Sequence, residues 1–274
     1  MSPRPPALRD ARATAPNNTM NQPNDAPETP PTTAIILCRV LELEIEHFVA
    51  RSEHVVHIER LEQGLHNEPR KLHQRVQACI DQVEQRSEIT NIVLGYGLCS
   101  RGVEGLRTRR CTLIVPRAHD CITLLLGDKS RYQQYVAKHP GTYWYSPGWI
   151  QHHLPPGPQR HAAKYREYCE QYGEDNAQFL METESHWHDN YDRATYIDIG
   201  IGRSEQDVQF TRDCATWLGW DFDQQLGDPD LIRELVEGPW DDARFLAVPP
   251  GKTVRMTGDD RVIDVCARSE MWEE

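Results

Sequence analysis

Apolar residues arrive along this chain in two rhythms. Ala34-Ile-Ile-Leu37, Ile92-Val-Leu94 and Leu113-Ile-Val115 are short unbroken runs, the pattern of strands buried on both faces of a sheet. Between them apolar positions recur at helical spacing: Leu41, Ile45, Phe48 and Val49 up to about Arg51, then Leu72, Val76, Ile80 and Val83 within Glu68 to Arg86, where Pro69 suits a first helical turn. The expected strands of this half are Ala34 to Val40, His54 to Ile58, Ile89 to Tyr96 and Thr112 to Val115. Short helices over Asp120 to Gly127 and Asp128 to Lys138 follow.

Pro140 to Trp149 breaks the rhythm as an aromatic loop or short strand. The pattern then predicts helices over Gln159 to Gly173 and Asp175 to Asn190, a strand from Thr195 to Ile199, and a helix from Ser204 to Leu218 with Ser204 as its cap. Trp220 to Leu226, a helix from Pro229 to Glu237, and Phe245 to Val248 complete the series. Strands alternating with helices at these lengths argue an α/β fold with a mostly parallel sheet of right-handed βαβ units. One domain over residues 34–257 is expected, with room for two Rossmann-like lobes at about 34–150 and 190–257 and a tail from 258 to 274.

Residues 1–33 are rich in Pro, Ala, Asn and Thr and carry almost no large apolar side chain. Such a segment cannot bury enough surface to offset the entropy of ordering, so it is expected to be a disordered tail. The 274 residues hold 42 acidic and 30 basic side chains, a net charge of −12. That balance repels phosphate backbones, and no nucleic-acid partner is expected. No apolar run reaches a membrane span, and the first 33 residues lack the apolar core of a signal peptide, so a cytoplasmic protein is expected. Eight cysteines in a chain this long are too sparse for a disulfide scaffold and read as free or metal-bound thiols.

Ligands of open α/β sheets bind in the loops beyond the carboxyl ends of the strands. Cys38, Cys99, His119 and Cys121 all fall just where an apolar run ends. Thiolate and imidazole together are ligands for zinc or iron. Buried cysteines also pack as small apolar groups, and that reading stands beside the metal one. The turn Gly95-Tyr-Gly-Leu-Cys-Ser-Arg-Gly102 matches no nucleotide fingerprint, but Gly97, Ser100 and Gly102 could bring backbone N–H groups to an anion, with Arg117 as a nearby cation. Trp144 and Trp149 offer a surface for a flat ring or a methylammonium group. Asp120 and Glu184 are the candidate acid and base.

Four motifs, Gly-Tyr-Gly-Leu-Cys-Ser-x-Gly at 95–102, Pro-Arg-x-His-Asp-Cys-Ile at 116–122, Gly-Thr-Tyr-Trp-x-Ser-x-Gly-Trp at 141–149 and Tyr-Ile-Asp-Ile-Gly at 196–200, together resemble a bacterial and archaeal family called domain of unknown function 1638. The resemblance covers about Ala34 to Arg255. It implies a single-domain cytosolic protein, associated in some members with corrinoid-dependent methyltransferase systems, and it carries no activity across. Two readings follow. One is a metal-thiolate enzyme of methyl-group or one-carbon metabolism, acting on a small molecule or with a corrinoid protein. The other is a non-enzymatic carrier of a metal or a corrinoid-type cofactor.

Overall fold

The computed structural model describes residues 31–202 and 205–267, and of Glu184 and Ser185 only the backbone. The strands are β1 (Thr33–Cys38), β2 (Val55–Leu61), β3 (Asn91–Gly95), β4 (Thr112–Pro116), β5 (Thr142–Tyr145), β6 (Arg193–Asp198), β7 (Asp221–Leu226), β8 (Phe245–Val248), β9 (Thr253–Met256) and β10 (Ile263–Cys266). The helices are α1 (Glu42–Val49), α2 (Pro69–Val83), α3 (Cys121–Leu126), α4 (Lys129–Lys138), α5 (Pro147–His152), α6 (Pro158–Tyr172), α7 (Glu174–Ser185), α8 (Glu205–Leu218) and α9 (Asp230–Glu237). The expected Ser204 cap of α8 lies outside the described residues.

The strands form a five-stranded sheet in the order β2-β1-β3-β4-β8, a three-stranded sheet β5-β6-β7, and the hairpin β9-β10. The first four strands of the large sheet run parallel, and β8 closes its edge antiparallel to β4. The three strands of the small sheet are all parallel. The fold is thus the expected α/β arrangement, but the chain does not divide into lobes at its middle. β5 leaves the first half to pair with β6, and β8 returns from the second half to pair with β4.

Alternation along the buried strands explains both faces of the large sheet. Ala34, Ile36, Ile92, Leu94, Leu113 and Val115 point to one side, where α2 covers them with Leu72, Val76, Ile80 and Val83. Ile35, Leu37, Val93 and Ile114 point to the other, against Ile45 and Phe48 of α1, the leucines of α3, and Leu231, Ile232, Leu235 and Val236 of α9. The β9-β10 hairpin adds Val254 and Ile263 to the first side. Residues beyond 257, which the sequence presents as a tail, therefore supply β10, where only Ile263 is fully buried and the strand signal is weak. Ile197 of β6 joins the α1, α3 and α9 layer, whereas Tyr196 packs with Tyr145 against Cys214 and Ala215 of α8.

Local chemistry sets the helix starts near the crevice. Asp120 caps α3 by accepting from the Thr123 amide at 3.1 Å, and Ser146 caps α5 by accepting from the Trp149 amide at 3.2 Å. Pro147 occupies the first turn of α5, and Gly148 lets that turn sit directly on the backbone of Val40, whose carbonyl oxygen leaves no room for a Cβ there. Trp149 is aimed by this contact. The aromatic segment around residue 145 is consequently a strand followed by a helix.

Candidate functional site

A cavity of about 710 Å³ opens at the carboxyl edge of the four parallel strands, with the start of β5 and the segment after it as its opposite wall. Its floor holds Cys38 at the end of β1, Tyr96, Cys99 and Ser100 after β3, and His119, Asp120 and Cys121 after β4. The turns after β3 and β4 are tied together beyond the sheet: the Leu98 amide donates to the Ala118 carbonyl at 2.8 Å, and the Cys99 amide to the His119 carbonyl at 2.9 Å. Cys99, Ser100 and Arg101 then run in left-handed backbone, with φ of 46°, 54° and 74°. Three such non-glycine residues in succession are costly and mark a turn held by its surroundings.

The three floor thiols feel one another. Burial pushes the Cys99 thiol well up, with neighbouring Cys38 and Asp120 adding to it. Burial does the same to Cys121, reinforced by Asp120, Cys99 and Cys38. Cys38 is also raised by burial, with partial relief from the Val40 backbone and the Tyr96 hydroxyl. Cys99 and Cys121 nevertheless keep some exposed surface, because they face the cavity from its depth. All eight cysteines are unbridged. Among the described residues, no group of three or more His, Cys, Asp or Glu side chains stands arranged to hold a metal ion.

Other expected residues fall into clear places. Ser100, Trp144 and Trp149 line the cavity. Asp120 lines it too, but both carboxylate oxygens are engaged: Oδ1 by Thr123 and Oδ2 by the Tyr132 hydroxyl at 2.9 Å. It positions the first turn of α3, and hence Cys121. Gly97 serves close packing, since a Cβ there would lie 2.6 Å from the Asp120 amide nitrogen. Gly102 lies outside the cavity lining, and a Cβ on it would run into the Leu72 side chain of α2. Arg117 is not at the cavity either. Its guanidinium donates to the Asp242 carbonyl at 2.6 Å, to Asp242 Oδ1 at 2.8 Å, to the Arg261 carbonyl at 3.2 Å and to the Ile263 carbonyl. It staples the β9-β10 hairpin to the end of β4, so a ligand-binding role gives way to a structural one. The Glu184 side chain lies outside the described residues.

The site contains groups beyond the candidates that the sequence offers. Tyr96 is 3% exposed, with its hydroxyl beside the Cys38 thiol and no other hydrogen-bond partner among the described residues. His66 reaches in from the turn after β2 and stands 6.0 Å, ring to ring, from Trp149, which in turn stands 5.0 Å from His153. Burial lowers both imidazoles, His153 to about 4 with help from Arg160 and His66, so both are neutral at neutral pH. The carboxyl-edge rule, applied to β2 as to its neighbours, points to His66. Arg160 and Trp187 come from the α6-α7 region, where sequence gives no such cue.

The class defined by this arrangement is an α/β protein with a thiol-floored, aromatic-walled cavity at the carboxyl edge of a parallel sheet. Residues 60–236 match the family described as Protein of unknown function (DUF1638), and the chain belongs to that family. The match begins after Cys38 and includes Cys99, His119 and Cys121. No curated protein and no solved structure matches the chain. Among the described residues no helix is long and apolar enough to cross a membrane.

Proposed function

We propose that this chain holds a soft divalent metal ion, zinc or iron, on Cys38, Cys99 and Cys121, with His119 from the same pair of loops as a further donor, and uses it in chemistry on a small molecule seated in the cavity. The observation that carries this is the convergence of three thiols, from three separate strand ends, on the floor of one cavity. Burial holds all three in the neutral form. Neutral thiols are poor nucleophiles, which argues against a cysteine nucleophile. A soft dication removes that obstacle, because metal binding displaces the protons and supplies the missing charge. Binding on this reading draws the sulfurs closer together than they stand without the ion.

Bound there, the ion would supply Lewis acidity or activate a thiol. The Tyr96 hydroxyl would donate to the Cys38 sulfur once it is a thiolate, and Asp120 would hold Cys121 in place through α3. The depth of the floor favours an enzyme over a carrier, since a carrier needs an exposed ion that leaves readily. The resemblance carried by the sequence motifs extends the proposal to methyl-group or one-carbon metabolism, with a corrinoid protein as partner.

Elemental analysis of anaerobically purified protein tests the proposal. Wild type should carry about one zinc or iron per chain, Cys99→Ser should lose most of it while keeping its fold, and Cys169→Ser on α6 should keep it. Zinc added to the metal-free protein should release protons, and the apparent affinity should fall steeply as pH falls, because thiols with raised pKa values must ionise to bind. Full metal content in Cys99→Ser, or binding without proton release, overturns the reading.

A further inference from the structure

The wall across the cavity from the thiols is aromatic, and its rings are tilted. Tyr143 stands at its centre, with ring centroids 6.3 Å from Trp149, 6.1 Å from Trp187 and 5.4 Å from Tyr191, at interplanar angles of 65°, 45° and 72°. Trp187 and Tyr191 meet at 81°. All four are half-buried and line the cavity, so the wall offers ring edges beside ring faces. A further ring continues such a cluster by packing edge to face, an arrangement that aromatic pairs favour.

The charges around the wall decide what that ring carries. Among the described residues, three permanently charged side chains line the cavity, Glu62, Asp120 and Arg160, and each already has partners. Glu62 pairs with Arg75 at 3.1 and 3.4 Å, and Asp120 accepts from Thr123 and from the Tyr132 hydroxyl. Arg160 donates to His153 Nε2 at 3.2 Å and holds its guanidinium carbon 5.6 Å from the Trp187 ring centre. An ionic ligand entering here gives up water and has to draw one of these groups away from what it holds, whereas an uncharged ligand does not.

The polar groups at the wall are neutral as well. Burial lowers both His66 and His153, the latter to about 4. Guanidinium can only donate, so the neutral His153 accepts at Nε2 and carries its proton on Nδ1. Its ring stands 5.0 Å from that of Trp149, which places a neutral N–H donor beside the aromatic cluster. A largely apolar cavity with a few such groups to orient its occupant is the usual form of a small-molecule site.

We propose that the aromatic wall binds an uncharged planar ring compound bearing a hydrogen-bond acceptor, its ring packed against Tyr143, Trp149 and Trp187 and its acceptor toward His153. This rests on the proposed reading in placing the substrate in the cavity, and names the substrate's class from residues other than the thiols.

Four probes separate the possibilities: 2-naphthamide, its isosteric anion 2-naphthoate, a naphthylmethyl-trimethylammonium ion, and acetamide, which keeps the amide and lacks the rings. Titrated by calorimetry near neutral pH into protein first dialysed against a chelator, naphthamide should bind saturably and the other three more weakly by at least about tenfold. Trp149→Ala should weaken naphthamide by about tenfold or more, and His153→Phe, which keeps a ring and loses the donor, by about threefold or more. Trp217→Ala, at an exposed position on α8, should change nothing. Either charged ring binding as tightly as naphthamide overturns the proposal, as do the absence of saturable naphthamide binding and undiminished binding by a folded Trp149→Ala or His153→Phe. Should both variants fail to fold, the comparison of the four probes on wild type still decides. Metal content is measured on untreated protein. A chain that binds naphthamide and carries no metal loses the metal reading and keeps this one, and a metal-loaded chain that ignores naphthamide does the reverse.

Discussion

A methyl group on Gly97 would stand 2.6 Å from the backbone nitrogen of Asp120 and 2.7 Å from its Cα. Backbone cannot swing aside as a side chain can, so Gly97→Ala must push the turn after β3 away from the turn after β4. Those turns carry Cys99 and Cys121. The expected cost is about 1–3 kcal/mol, the range for overpacking a tight contact, read as a lower urea midpoint together with reduced zinc uptake. Unchanged stability and uptake would show that the turns can part freely. The glycines of this motif are legible as a turn because glycine alone tolerates such approach. The left-handed run at Cys99, Ser100 and Arg101 is not legible, since none of these residue types favours it and the conformation is imposed by the bonds to Ala118 and His119.

Helix α1 carries a group in an uncomfortable place. Glu44 is fully buried, and neither carboxylate oxygen has a hydrogen-bond partner among the described residues. Burial raises its pKa from 4.5 to about 7. A carboxyl raised on folding contributes stability that is complete below its ordinary value and is lost as pH rises through the folded one. Glu44→Gln should therefore be little different from wild type near pH 4, gain relative stability between about pH 4.5 and 7, and level off above that at about 3 kcal/mol. Denaturant titrations of both proteins at several pH values would show it, and a constant difference across the range would mean that Glu44 is solvated or paired in solution.

Elements differ in how plainly the sequence announces them. Strands β1, β3 and β4 are legible because both their faces are buried and their apolar runs are unbroken. The carboxyl-edge rule then puts Cys38, Cys99 and Cys121 on one floor from the order of residues alone. The turn after β2 obeys the same rule, yet its signal is faint, since Val55–Leu61 is only partly buried and reads as a weaker strand. Arg117 misleads for a different reason. A basic side chain next to a candidate site looks like a ligand group until its partners are known, and here they are Asp242, ahead of β8, and two carbonyls of a hairpin whose strands are short and half polar.

At the scale of the molecule, two sheets meet across the cavity: the small one uses the consecutive strands β5 to β7, whereas the large one takes its last strand from beyond them. β8 supplies the last strand of the large sheet with Phe245, Leu246 and Val248 buried along β4. Without it, β4 would present an open row of backbone N–H and C=O groups beside buried Leu113 and Val115, and an exposed apolar edge of that kind pairs with other chains. A variant ending at Glu237 should accordingly self-associate in sedimentation experiments at concentrations where the full chain does not; a monomeric truncated protein would show that another segment shields the edge. The return of β8 also has a consequence in time. A ribosome adding about 5–20 residues per second needs roughly 6 to 26 seconds to travel from Pro116 to Phe245. For that interval the nascent large sheet exists with its flank bare. The speed of translation through the aromatic wall and helices α6 to α9 thus sets how long each new chain is open to its neighbours on a polysome, and a slower passage there would be felt first as lost yield of soluble protein.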